Sequence, residues 1–83
     1  MPRYFFNLHN NIGPVLDEEG QIVSGLEEAR AVALAGIRSV LGDELAAGEL
    51  DLNGRIDIID EHREVVMSIS FEEAVAVRHT NRT

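Results

Sequence analysis

The amphipathic stretch from Ser24 to Ala47, with short alternating segments on either side of it, limits this chain to few architectures. Leu26, Ala29, Ala33, Ile37, Val40, Leu41 and Leu45 recur at the three- and four-residue steps that line one face of a helix, while Glu27, Glu28, Arg30, Arg38 and Glu44 fall largely off it. Such a stripe needs a second layer. The flanking segments read as strands, so the expected fold is α+β, a small antiparallel sheet of about four to five short strands with the long helix across one face, ββαββ-like, and a short C-terminal helix. Ser24 is the expected N-cap, with Glu27 three residues on closing a capping box. Gly48 is the expected stop, because glycine enters left-handed backbone freely, and Gly42 is an earlier alternative.

Along the chain, RYFFNLH (Arg3 to His9) alternates as a strand, with Tyr4, Phe6 and Leu8 on one face and Arg3, Phe5, Asn7 and His9 on the other. Phe5 is out of place on that polar face, so a second layer covers it or it marks an apolar patch. Asn10, Asn11, Gly13 and Pro14 punctuate a loop. VLDEEGQIV (Val15 to Val23) reads as a short hairpin turning at Asp17 to Gly20. After the helix, Asn53-Gly54 signals a turn, and RIDIID and EVVMSIS form a second hairpin through Asp60 to Arg63. Ser70 and Glu73 repeat the capping-box spacing and predict a terminal helix carrying Phe71, Ala74, Val75 and Arg78. VLDEEGQIV and IIDEHREVV share one pattern, with the long helix between them.

At 83 residues the chain is expected to be one domain, residues 1–83. A domain of this size buries only about 60 to 65% of its unfolded surface, which leaves a ligand pocket to form on the open sheet face or between subunits. The formal net charge is −8, from fifteen acids against seven bases, all of them arginine. That balance disfavours phosphate backbones and anionic lipid as partners, so neither nucleic acid nor a membrane is expected. A basic protein or a second copy fits better. Cysteine is absent, which removes disulfides and thiolate chemistry. No apolar run approaches the length of a membrane span, and the expected location is the cytoplasm.

MPRYFF, DEEG followed by LEEARAVAL, and GRIDIIDE leading to SFEEAV together resemble a bacterial family of small single-domain proteins whose function is unassigned. The resemblance implies an intracellular protein and carries over no catalytic residue. His62-Arg63 stands where many relatives would place a turn glycine. Asp17, Gly20, Glu27, Glu28 and Ala29 are also similar to the partial-RNase-H-like domain of HicB-type antitoxins, though the separate DNA-binding segment of that family has no counterpart.

The candidate partner-binding residues are Asp17, Glu18, Glu19, Glu27, Glu28 and Phe5. No catalytic residue, cofactor or metal site is assigned: the spacing of His9, His62 and His79 lacks the pairing of a metal site, and no glycine loop cradles a phosphate. Arg78, His79 and Arg82 form the one local basic tail. The leading expectation is a self-associating, dimeric interaction or regulatory module without catalysis. An antitoxin-like inhibitor that neutralises a basic partner through its acidic face is the first alternative. A divalent-metal-dependent enzyme built on Asp17, Glu18 and His9 is the second.

Overall fold

A computed structural model describes residues 1–78. Five strands, β1 (Arg3–Asn10), β2 (Gly13–Val15), β3 (Gln21–Ile22), β4 (Gly54–Ile59) and β5 (Val65–Ser70), form one antiparallel sheet. The long helix α1 (Leu26–Ala46) joins β3 to β4, and the short α2 (Phe71–Ala74) follows β5. The order across the sheet is β2-β1-β4-β5, with β3 pairing on β1 along the same edge as β2. This is the expected α+β arrangement with one helix-covered face.

The two faces follow from strand alternation. Phe6, Ile58 and Met67 align across β1, β4 and β5, as do Leu8, Ile56 and Ile69, and these rows face the helix. Ala29, Ala33, Ile37 and Leu41 are the buried residues of α1, a narrow stripe at four-residue steps. Its first half is alanine, so the helix settles close to the sheet. Leu45, placed on the stripe by spacing alone, is exposed, because it lies near the end of α1. The other core anchor is Phe71, fully buried where α2 turns back.

Four local expectations change. Val15 to Val23 is not a hairpin: β2 and β3 both pair with β1, and the residues between them leave the edge as a loop. The residue-number sum of paired positions is 23 for β1 with β2 and 25 for β1 with β3, so the edge carries two extra residues. The N-cap of α1 is Gly25, without a side-chain cap, and it is the Glu28 carboxylate that accepts the Ser24 N–H at 2.7 Å. Gly54 is a strand residue and not part of a turn, and a Cβ there would sit 2.6 Å from the Phe71 ring and 2.9 Å from the His9 carbonyl oxygen. Finally, α2 stops at Ala74, because Val75 is already extended and Arg38 Nε donates to the Ala74 carbonyl at 2.8 Å.

Other expectations hold. The Ser70 hydroxyl accepts the Glu73 N–H and the Glu73 carboxylate accepts the Ser70 N–H, a complete capping box. Gly48, at φ 91°, follows the last turn of α1. There the Gly48 N–H donates to Leu45 and the Glu49 N–H to Glu44, the paired bonds of a Schellman stop.

Candidate functional site

The face turned away from α1 carries two groupings. The first is centred on Asp57, a β4 residue that points away from the helix yet is only 7% exposed. Strand pairing sets Asn7 and Ser68 on either side of it and His9 opposite Arg55. Ser68 donates its hydroxyl to Asp57 Oδ1 at 2.6 Å, Arg55 Nε donates to the same oxygen at 3.0 Å, and His9 Nε2 lies 3.3 Å from Oδ2. Burial raises the Asp57 carboxyl, but the Ser68 hydrogen bond and then Arg55 and His9 outweigh it and hold the group below its ordinary value. A nucleophilic relay needs a base between hydroxyl and carboxylate. Here Ser68 donates straight to an acidified carboxylate, so the grouping is a closed ionic network that braces three strands.

The second grouping is a cleft of about 630 Å³ at the other end of the same face. Its floor is Phe5, Asn7 and Ile59, one wall is Leu16, Asp17 and Glu18, and the opposite wall is Asp60, Glu61 and Arg63. Phe5, paired with Ile59 across the strands, is half-buried, and the Gly20 backbone closes on its ring: a Cβ at Gly20 would meet it at 2.9 Å. The phenylalanine is thus partly covered by its own chain, and its remaining surface floors the cleft.

Asp17 explains how the first wall is held. It lies where regular pairing would place a strand residue opposite Phe6, and its Oδ2 accepts the Phe6 N–H at 3.1 Å in place of a backbone carbonyl. Its Oδ1 takes the Glu19 and Gly20 N–H groups, while its own N–H donates to Asn7 Oδ1 at 2.9 Å. Asp60 holds the second wall in the same manner, accepting the His62 and Glu64 N–H groups through Oδ1. The sequence echo between the two DE segments is therefore a shared aspartate turn, folded once as an edge loop and once as a hairpin. Arg3 links the walls, its N–H reaching Glu61 Oε1 at 3.3 Å and its guanidinium reaching the Glu19 carbonyl at 2.7 Å.

Of the sequence-derived candidates, the structure brings Phe5, Asp17 and Glu18 together in one cleft. Glu19 lies on the far side of the same loop, lining a shallower depression with Phe6 and Leu8 that the helix leaves uncovered. Glu27 and Glu28 belong to the first turn of α1 and do not line the cleft. His9 stands beside Asp57 and not with Asp17 and Glu18, which separates the three residues of the metal-dependent reading. Among the described residues, no three histidine or acidic side chains are grouped to hold a metal ion. His79 and Arg82 of the basic tail lie outside the described residues. Alternation alone does not reveal Asp60, Glu61 and Arg63 as a wall facing Leu16 to Glu18. The R-x-D spacing of Arg55 and Asp57 between isoleucines was the available signal for the ionic network.

A family model described as Domain of unknown function (DUF6894) matches residues 3–72. No curated protein and no solved structure matches the chain, and nothing in these comparisons supports the likeness to HicB-type antitoxin domains. Among the described residues, no helix is long and apolar enough to cross a membrane.

Proposed function

The chain belongs to this DUF6894 family, and on that premise we propose that it is a protein-interaction module without catalysis of its own, which holds a basic segment of a partner protein in the open-face cleft. The observation that supports the reading is the pairing of an apolar floor, Phe5 and Ile59, with walls that carry Asp17, Glu18, Asp60 and Glu61 against a single arginine. A lysine or arginine side chain suits such a cleft, since its methylenes lie along the floor and its charge stays at the rim. The carboxylates of Asp17, Asp60 and Glu61 already accept backbone N–H groups, which pre-organises the walls and leaves Glu18 as the freely directed charge. The net charge of −8 would draw a basic partner in over a longer range. Such a role suits a cytoplasmic protein, in keeping with a chain that has no cysteine.

The test is a titration of the full chain with a short lysine- and leucine-rich peptide, followed residue by residue by NMR. Shifts confined to Phe5, Asn7, Leu16, Glu18 and Ile59, weakened roughly tenfold by Glu18→Lys and by added salt, are expected for a charge reversal at a partly exposed rim. Shifts spread evenly over all acidic surfaces, or binding indifferent to Glu18→Lys, would refute the cleft as the site.

A further inference from the structure

We infer that Asn7 is a specificity-determining residue of the cleft, whose side-chain amide takes a main-chain carbonyl of the bound segment, an inference that rests on the cleft being a site for a basic segment and names what else that segment must offer. Asn7 stands half-buried on the face turned away from α1, between Phe5 and His9 on β1 and directly opposite Asp57 on β4. Its Oδ1 accepts the Asp17 N–H at 2.9 Å. An N–H group can be accepted by the oxygen of that amide and not by its nitrogen, so this one bond fixes which way round the side chain stands. Asp17 thus does more than brace the wall, since its N–H orients the floor.

The other end of the amide, Nδ2, carries two N–H groups that find no acceptor among the described residues. Asp57, the carboxylate opposite, is already taken up by Ser68 and Arg55 at Oδ1 and by His9 at Oδ2. No buried side-chain nitrogen or oxygen among the described residues lacks a partner, so Nδ2 is open to solvent, in the floor of the cleft that Asn7 lines.

The charges around this donor select its acceptor. Asp17, Glu18, Asp60 and Glu61 line the cleft against Arg63 alone, so an anion is repelled and a neutral carbonyl is not. A polypeptide repeats that carbonyl at every residue. A ligand lying on Phe5 and Ile59 also strips solvent from Nδ2, and leaving the donor bare then costs affinity. An alkylammonium ion carries the charge that suits Glu18 but has no acceptor for Asn7. A peptide supplies both, its basic side chain directed to Glu18 and its main chain over the floor. The cleft therefore favours a lysine or arginine within a chain over a free amine, by about three- to tenfold for one hydrogen bond.

The experiment is NMR of the full chain with the side-chain amide signals followed, titrated in parallel with the lysine- and leucine-rich peptide and with n-butylammonium, the lysine side chain without its main chain. The peptide should move the Asn7 side-chain N–H protons downfield, as hydrogen bonding to a carbonyl does, while n-butylammonium moves Phe5 and Glu18 and leaves those protons in place. Asn7→Asp keeps an oxygen for the Asp17 N–H, removes both donors and adds a charge that favours either ligand. The ratio of peptide to amine affinity should therefore fall about three- to tenfold in that variant, once thermal melts show that it folds with a second carboxylate opposite Asp57. Should it not fold, the signals of the natural chain decide alone. Asn7 side-chain protons that stay in place while Phe5 and Glu18 respond to the peptide, or that move equally with n-butylammonium, would overturn the inference by itself, as would an unchanged affinity ratio. A peptide that leaves every cleft signal unmoved would overturn it together with the reading of the cleft.

Discussion

Arg63 sits where backbone geometry asks for glycine. The hairpin between β4 and β5 closes through the Arg63 N–H to the Asp60 carbonyl at 3.1 Å, and Arg63 itself is the one non-glycine residue at positive φ, 64°, among the described residues. That is the three-residue hairpin loop whose last residue is left-handed, a conformation that costs an L-residue roughly 1–2 kcal/mol. Part of that cost returns as unfolded-state freedom when glycine is introduced, so Arg63→Gly should raise stability by about 0.5–1 kcal/mol in urea melts. Asp57 supplies the opposite case. Its folded carboxyl is held below the unfolded value near 3.9, so its stabilisation is present above that pH and is lost as pH falls through the lowered value. Asp57→Asn should cost about 1–3 kcal/mol at pH 7, and the gap to the natural chain should narrow in strongly acidic melts. Some acid dependence will remain, because the Ser70 backbone and hydroxyl bonds also hold Glu73 below its usual value.

Each element is stopped and seated by contacts at its ends. α1 ends in the Schellman bonds around Gly48, and its Arg38 closes α2 from the side. α2 is too short to persist by helix propensity, and its place is set by the Phe71 ring lying over Gly54 at the start of β4. Gly54→Ala forces a methyl group into both that ring and the His9 carbonyl of the neighbouring strand. The expected cost is about 1–3 kcal/mol, with α2 loosened first, read as faster hydrogen exchange around Glu73 and Ala74 before global unfolding. A residue that sequence reading assigns to turn flexibility thus serves through the space its missing side chain leaves.

At the scale of the molecule, the two edges of the sheet differ, and the difference places the cleft. The edge beside β1 is closed by an acidic loop that also walls the cleft, while β5 carries no charged residue and, among the described residues, no strand on its outer side. Salt should therefore weaken the capture of a basic segment at the cleft, read as smaller shifts at Phe5 and Glu18 in the same peptide titration.

Periodicity determined the fold class by itself, because a stripe at three- and four-residue steps can be buried only as a helix and alternation only as strands. It placed α1 and the β4–β5 hairpin, and the faces of Tyr4, Phe6 and Leu8 against Phe5, Asn7 and His9. The aspartate turns and the Ser70 cap were legible for the same reason, being made within a few residues. Only the tertiary structure decided that VLDEEGQIV becomes a two-residue excess on an edge strand, since either of its ends can pair with the other or with β1, and both take β1, β2 through the two residues after Asn10 and β3 at the far end of the same strand. It also decided which acids share a site: Glu18 faces Glu61 across Phe5 and Ile59 because β1 and β4, separated by the whole of α1, are neighbours in the sheet.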